Sequence, residues 1–233
     1  MNTGYANPYT VAQAAPNERS AFIRKTYLHL AFAILAFVGL EGFLMQQSWA
    51  PALIGKMTGG MGWLVVLAAF MGVSFIAEKL AASGASRGVQ YAGLALFVVA
   101  QAIIFMPLLY VATVYAKDPG VVLKAGITTA FIFGGLTFAA FATGKDFSFL
   151  RGFLMVGGFV ALGIIVVSIF FGFNLGTIFA GAMALFASVA ILYSTSNIIH
   201  HYRTDQYVSA SLSLFASVAL LFWYILQIFM SRD

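Results

Sequence analysis

Long apolar stretches alternate with short polar breaks along almost the whole chain. Seven stretches are long enough, at ~20 residues each, to cross the hydrocarbon core of a bilayer. We predict that each forms a transmembrane helix, at residues 27–46, 61–80, 89–116, 121–143, 149–171, 175–199 and 208–230. The pattern therefore predicts an all-α, polytopic membrane protein with a lipid bilayer around it and no room for a soluble domain.

The composition agrees with this pattern and excludes several kinds of chemistry. Hydrophobic residues make up 62% of the chain and charged residues 8%, whereas soluble domains carry about 25% charged residues. The absence of cysteine excludes disulfides, thiol catalysis and cysteine metal sites. The net charge of +5 comes from basic residues scattered at segment ends, so we interpret them as determinants of topology and expect no nucleic-acid partner and no cofactor.

The basic residues also predict the orientation. We divide the chain into a cytoplasmic tail at residues 1–26, disordered to about Pro16, and a membrane domain at 27–233. With the N-terminus inside, eight basic residues lie on the cytoplasmic side and four outside, as the positive-inside rule requires. The inner set is Arg19, Arg24, Lys25, Lys79, Arg87, Lys145, Arg151 and Arg203; the outer set is Lys56, Lys117, Lys124 and Arg232. Seven spans then place the C-terminus outside.

The last two predicted helices share a repeated segment and carry no Asp, Glu, Lys, Arg or His between residues 174 and 199 or between residues 208 and 230. Residues 185–192 (LFASVAIL) return almost unchanged as residues 214–221 (LFASVALL). Small residues recur at four-residue spacing on both helices, an arrangement that lets membrane helices approach closely. We predict a tight antiparallel hairpin. The repeat is either convergence on one packing face or an inverted repeat of transporter type.

Glu41 and the pair His200 and His201 are the ionisable candidates. Glu41 is ~14 residues into the first predicted helix, or ~21 Å at ~1.5 Å per residue. It either faces protein or water as a functional carboxylate, or extends to the outer interface. The two histidines favour a solvated cytoplasmic loop over a metal site, although a role in modulating a response to pH stays open because histidine changes charge between pH 5 and 8.

One segment matches the nucleophile motif G-x-S-x-G, at residues 84–88. In hydrolases that serine sits on a strained strand-to-helix turn. Here Ser86 lies in a short break between two predicted membrane helices, so we interpret the segment as a flexible loop and expect no enzymatic activity.

Two further segments carry a family resemblance. Residues 135–137 (GLT) and 143–154 (TGKDFSFLRGFL), together with Glu18, Arg19, Phe22 and Tyr27 in the opening stretch, resemble the transmembrane Bax-inhibitor-motif family, which includes Bax inhibitor-1 and its bacterial relatives. The resemblance covers nearly the whole chain.

The most specific part of this resemblance is the block Asp146, Phe147, Ser148 and Phe149. Asp146 or Ser148 can accept hydrogen bonds from the free amides at the start of the fifth predicted helix. The two phenylalanines are expected to anchor at the membrane interface.

The resemblance implies six helices around a central C-terminal seventh, and a pH-sensitive calcium leak. In characterised relatives a pair of aspartates on the last two helices forms the gate, linked to a basic residue on the second. This chain has Ser194 and Ser217 at the aspartate positions, and its second predicted helix has only the terminal Lys79. Serine does not titrate at physiological pH, so the aspartate gate cannot operate here.

Two functions follow as hypotheses. The first is a leak pathway for Ca²⁺ or another cation that lacks the aspartate pH gate. The alternative is a non-conducting regulator that binds other membrane proteins, such as a membrane protease. In either case the resemblance to bacterial relatives implies a multi-pass protein of the bacterial inner membrane.

Overall fold

The computed structural model describes residues 10–231 as an all-helical bundle. A short 3-10 turn at Val11–Gln13 precedes eight α-helices. These are α1 (Pro16–Leu44), α2 (Ala50–Thr58), α3 (Gly62–Ala82), α4 (Arg87–Val114), α5 (Val121–Thr143), α6 (Leu150–Phe171), α7 (Gly176–His200) and α8 (Tyr207–Met230). Seven of them are long and apolar enough to cross a membrane, which confirms the predicted polytopic all-α class.

The helix α2 was missed by the hydropathy pattern. Its nine residues are too few to cross a bilayer, so a search for spans does not detect it. Pro51 lies in its first turn, where the missing amide proton does not matter. Ala50 and Ile54 are buried in one cluster with Met106 of α4. The segment therefore lies against the bundle between the first two spans.

The N-terminal prediction is wrong for residues 10–15. The Val11 amide donates to the Tyr202 carbonyl over 2.8 Å, and the Val11 side chain is fully buried. The helix α1 begins at Pro16 and runs unbroken across the predicted boundary at residue 26, because proline is well suited to a first helical turn. The predicted disorder of residues 1–9, and the basic residue Arg232, lie outside the described residues.

The helix α8 is the centre of the bundle, as predicted. It packs against α1, α3, α4, α5 and α7, and α6 joins through α7. The buried side chains of Leu214, Leu221 and Leu226 lie on α8. Outside, large apolar side chains such as Phe131 and Ile178 are exposed, which suits a surface that faces lipid.

The helices α3 and α4 approach each other closely at Gly93. A methyl group added there would lie 2.6 Å from the Ala77 carbonyl oxygen and 2.6 Å from the Ala81 amide nitrogen. Both are backbone atoms and cannot move aside without shifting the helix. Contact between these two backbones therefore requires glycine at this position.

We predict that Gly93→Ala forces α3 and α4 apart and lowers the free energy of unfolding by about 1–3 kcal/mol. Thermal and denaturant unfolding in detergent micelles measures the change. The matched control is Gly134→Ala on α5, where an added methyl meets nothing within 4 Å. In the control, alanine should be neutral or stabilising by up to ~1 kcal/mol. Equal stability of the two variants would contradict the close approach.

Candidate functional site

The two predicted gate positions, Ser194 on α7 and Ser217 on α8, face each other. Their hydroxyl oxygens are 3.0 Å apart, and the residues are only 5% and 7% exposed. The Ser213 hydroxyl donates to Ser194 Oγ over 3.3 Å, and the Ser217 hydroxyl donates to the Ser213 carbonyl over 3.0 Å. Since the Ser217 proton is used there, Ser194 must be the donor to Ser217.

These three residues form a closed network, which we call the serine ring (Ser194, Ser213 and Ser217). Each hydroxyl proton has an acceptor within the ring, so no donor is left over. A buried polar network is stable when every member is satisfied. Ca²⁺ prefers six to eight oxygen ligands with carboxylates among them, and the ring offers only neutral oxygens. The ring therefore joins α7 to α8 without charge.

A cavity of about 1010 Å³ adjoins α8. Residues of α3, α4, α6, α7 and α8 line it, and they include Ala216, the neighbour of Ser217. Tyr224 and Gln227 contribute polar groups toward the far end of α8. Two lining residues, Ser74 and Gln101, each have a side-chain oxygen without a hydrogen-bond partner among the described residues. The cavity therefore has polar atoms that water or a solute can satisfy.

Glu41 lies apart from both the serine ring and the cavity. Glu41 is only 5% exposed, and neither of its carboxyl oxygens has a hydrogen-bond partner within residues 10–231. This burial does not fit the alternative in which Glu41 extends to the outer interface. An intramembrane carboxylate facing protein is a functional candidate, but the fold does not bring it to the gate positions.

His200 ends α7 and His201 follows it; both contact the loop between α5 and α6, and His201 stays exposed to solvent. His200 Nδ1 is 2.9 Å from the Ser196 carbonyl oxygen and Nε2 is 3.2 Å from the Gly144 carbonyl oxygen. Carbonyl oxygens only accept, so both bonds form together only when both ring nitrogens are protonated. His201 Nε2 lies 3.1 Å from Asp146 Oδ2. In the described part of the chain, no three His, Asp or Glu residues are grouped to hold a metal.

The family motif orders this same loop. Asp146 Oδ1 accepts from the Ser148 amide over 2.9 Å, and the Phe147 amide donates to Ser196 Oγ on α7 over 2.8 Å. The helix α6 begins after Phe149 and has no side-chain cap, so the predicted cap is wrong. Phe149 is exposed, as expected for an interfacial anchor. The motif fixes the α5–α6 loop to the C-terminal end of α7.

The pKa of the Asp146 carboxyl is lowered, chiefly by the Ser148 amide and further by the His201 ring. The folded-state pKa thus lies below the unfolded value of ~3.9. The carboxylate therefore stabilises the folded protein above pH ~3.9, and this contribution is lost as the pH falls toward the folded-state pKa.

We predict that Asp146→Asn lowers the melting temperature in detergent at pH 6. Because the carboxyl is exposed, the loss should not exceed ~1 kcal/mol. The difference from the parent should shrink as the pH falls below the unfolded pKa of ~3.9 and disappear once the pH is below the lowered folded-state pKa of Asp146, where both side chains are neutral. If the difference in melting temperature between variant and parent is the same at every pH, the charge of Asp146 does not stabilise the folded protein.

These features define a class of protein: a seven-span helical membrane protein with a polar network on a central C-terminal helix. The family model described as "Inhibitor of apoptosis-promoting Bax1" matches residues 19–233. An uncharacterized protein of Pseudomonas aeruginosa is 35% identical over 221 residues, covering 94% of this chain and 92% of its own. Protein LIFEGUARD 4 of Arabidopsis thaliana is 29% identical over 238 residues, covering 99% and 92%. The chain belongs to the Bax inhibitor-1 family.

Proposed function

We propose that this protein provides a slow leak pathway for cations along α8, closed at the serine ring, which contains no carboxylate. The observation that carries the proposal is the polar face of the central helix. Ser213, Ser217, Tyr224, Gln227 and Ser231 follow one another at spacings of three, four or seven residues, which places them on one side of a helix. No other described helix combines such a face with a central position.

The two halves of this face have different surroundings. In the inner half, Ser213 and Ser217 are closed against Ser194. In the outer half, Tyr224, Gln227 and Ser231 line the 1010 Å³ cavity. A path along α8 would be open to the outer side and blocked at the ring. Opening of the ring requires that its three hydrogen bonds break, and each contributes about 0.5–1.5 kcal/mol to the closed state. This cost is small enough for the ring to open, but only infrequently.

The neutral ring also determines the expected selectivity and pH response. Without a carboxylate, neither Ca²⁺ nor a monovalent cation gains strong binding at the ring. Serine does not change charge between pH 6 and 8, so the ring itself adds no pH dependence to the flux. In keeping with the positive-inside rule, the proposal places the N-terminus in the cytoplasm and the protein in the bacterial inner membrane. It assigns the protein no enzymatic activity.

A second candidate function is a non-conducting regulator that binds other membrane proteins. The observation that favours it is the helix α6, which packs on α7 and exposes large apolar side chains including Phe159 and Phe170. Such a face suits a partner helix in the membrane. A satisfied serine ring that never opens would also suit this role. Crosslinking in native membranes that returns no reproducible partner would count against it.

We predict that purified protein in liposomes loaded with a calcium dye gives flux above empty vesicles, with the same rate at pH 6 and pH 8. Replacing both ring residues, Ser194→Asp and Ser217→Asp, should make the flux depend on pH, because two facing carboxylates shift their titration toward neutral pH. The matched control is Ser194→Asn with Ser217→Asn, which has the same size and does not titrate.

Two outcomes of this experiment would contradict the leak. Absence of flux from the parent protein at every pH would exclude it and favour the regulator. Identical flux from the Asp and Asn double variants would show that ions do not pass the serine ring. The thermal stability of both variants is measured in parallel, so that a loss of flux caused by unfolding can be distinguished from a loss caused by closure of the pathway.

A further inference from the structure

Basic and aromatic side chains converge where the inner ends of α1, α4 and α8 meet. We call this group the Tyr207 cluster (Lys25, His29, Arg87, Tyr91 and Tyr207). Lys25 Nζ is 5.4 Å from the centre of the Tyr207 ring, and Arg87 Cζ is 4.7 Å from it. The His29 ring lies 5.0 Å from the same ring. Two full positive charges and one imidazole thus surround a single tyrosine.

A chain of hydrogen bonds fixes the geometry of the cluster. His29 Nδ1 donates to the Lys25 carbonyl over 2.7 Å, because that oxygen only accepts. His29 Nε2 is 3.0 Å from the Tyr91 hydroxyl, which is 3.3 Å from the Tyr207 hydroxyl. These hydrogen bonds between polar side chains hold α1, α4 and α8 together at this point. The positions of the two cationic groups relative to each other are therefore fixed.

The two positive charges lack an acidic partner within this cluster. Their distances from the Tyr207 ring limit their separation to about 10 Å, close to the ~8–10 Å over which charges interact in physiological salt. Asp205, in the adjoining loop, binds Arg203 through both carboxyl oxygens at 3.1 and 3.2 Å. An anion between Lys25 and Arg87 would relieve their repulsion.

Arg87 is positioned to bind such an anion. Its Nη1 donates to Gln90 Oε1 and to the Asp205 carbonyl oxygen, each over 2.7 Å. Both bonds leave from one nitrogen, so the Nε and Nη2 donors stay available for an oxyanion. The helices α4 and α8 also begin at Arg87 and Tyr207 without side-chain caps, and the positive ends of their dipoles add to the attraction.

The surroundings point to a lipid as the source of the anion. Leu28 and Phe32, one turn further along α1 from Lys25 and His29, are 50% and 68% exposed. An acyl chain can lie along them while its headgroup contacts the basic residues. Tyrosine is enriched at this depth because its ring suits the headgroup region. Basic groups between transmembrane helices are suited to bind lipid phosphate groups.

We propose that the Tyr207 cluster is a binding site for the phosphate of an anionic phospholipid, which bridges Lys25 and Arg87. The site joins α1 to α4 and α8, so its lipid stabilises the bundle. The proposal does not depend on whether the protein conducts cations.

The test uses the full chain in detergent micelles containing either phosphatidylglycerol or phosphatidylcholine, with retained lipid counted by native mass spectrometry. The parent should retain phosphatidylglycerol preferentially and melt at a higher temperature in its presence. Lys25→Gln and Arg87→Gln should each weaken retention about fivefold, the change that corresponds to ~1 kcal/mol per basic residue. Arg24→Gln is the matched control, since Arg24 is turned about 100° around α1 from Lys25.

Three results would overturn the proposal. The first is equal retention of phosphatidylcholine, and the second is a loss in Arg24→Gln as large as in Lys25→Gln. The third is displacement of phosphatidylglycerol by millimolar inorganic phosphate, which would assign the site to a free anion. Lys25→Gln keeps the test decisive if Arg87→Gln fails to fold, because within residues 10–231 the side chain of Lys25 is held to another helix through its contact with the Tyr207 ring alone.

Discussion

The contact between α7 and α8 through three serine hydroxyls is the interaction on which the interior of this bundle depends. Lipid offers polar groups no partners, so each must be satisfied within the protein. Ser194, Ser213 and Ser217 achieve this in a closed ring. The ring is neutral and therefore needs no compensating base. The basic residue of α3, Lys79, lies in the last turn of that helix.

Other parts of the chain are attached to the end of the same hairpin where α7 turns into α8. The Val11 amide bonds to Tyr202, in the turn between α7 and α8. His200 and His201 hold the α5–α6 loop through Gly144 and Asp146. Movement of the hairpin would therefore involve the N-terminal segment and this loop together. The C-terminal half of α8 instead adjoins the cavity, and the Thr177 hydroxyl at the start of α7 donates to Ser231 Oγ over 2.9 Å.

The spans could be predicted from the sequence because apolar stretches of ~20 residues have few alternatives in a bilayer. Shorter elements and long-range contacts could not. The nine-residue α2 falls below the length of a span, and residues 10–15 look like an ordinary polar tail. His201 and Asp146 are 55 residues apart, so no local spacing relates them. The facing positions of Ser194 and Ser217 were expected only through the family resemblance, since serines on membrane helices usually indicate packing alone.

The most direct test of the account is a reversible bridge across the serine ring. The chain has no native cysteine, and the hydroxyl oxygens of Ser194 and Ser217 are 3.0 Å apart, so cysteines at these two positions would bring their sulfur atoms near each other. Cation flux into liposomes is measured for the Ser194→Cys and Ser217→Cys double variant, first oxidised and then reduced. The account predicts no flux when the bridge is formed and recovery on reduction, with the single Ser217→Cys variant unaffected by oxidant. Equal flux in the oxidised and reduced double variant would show that ions do not pass between α7 and α8.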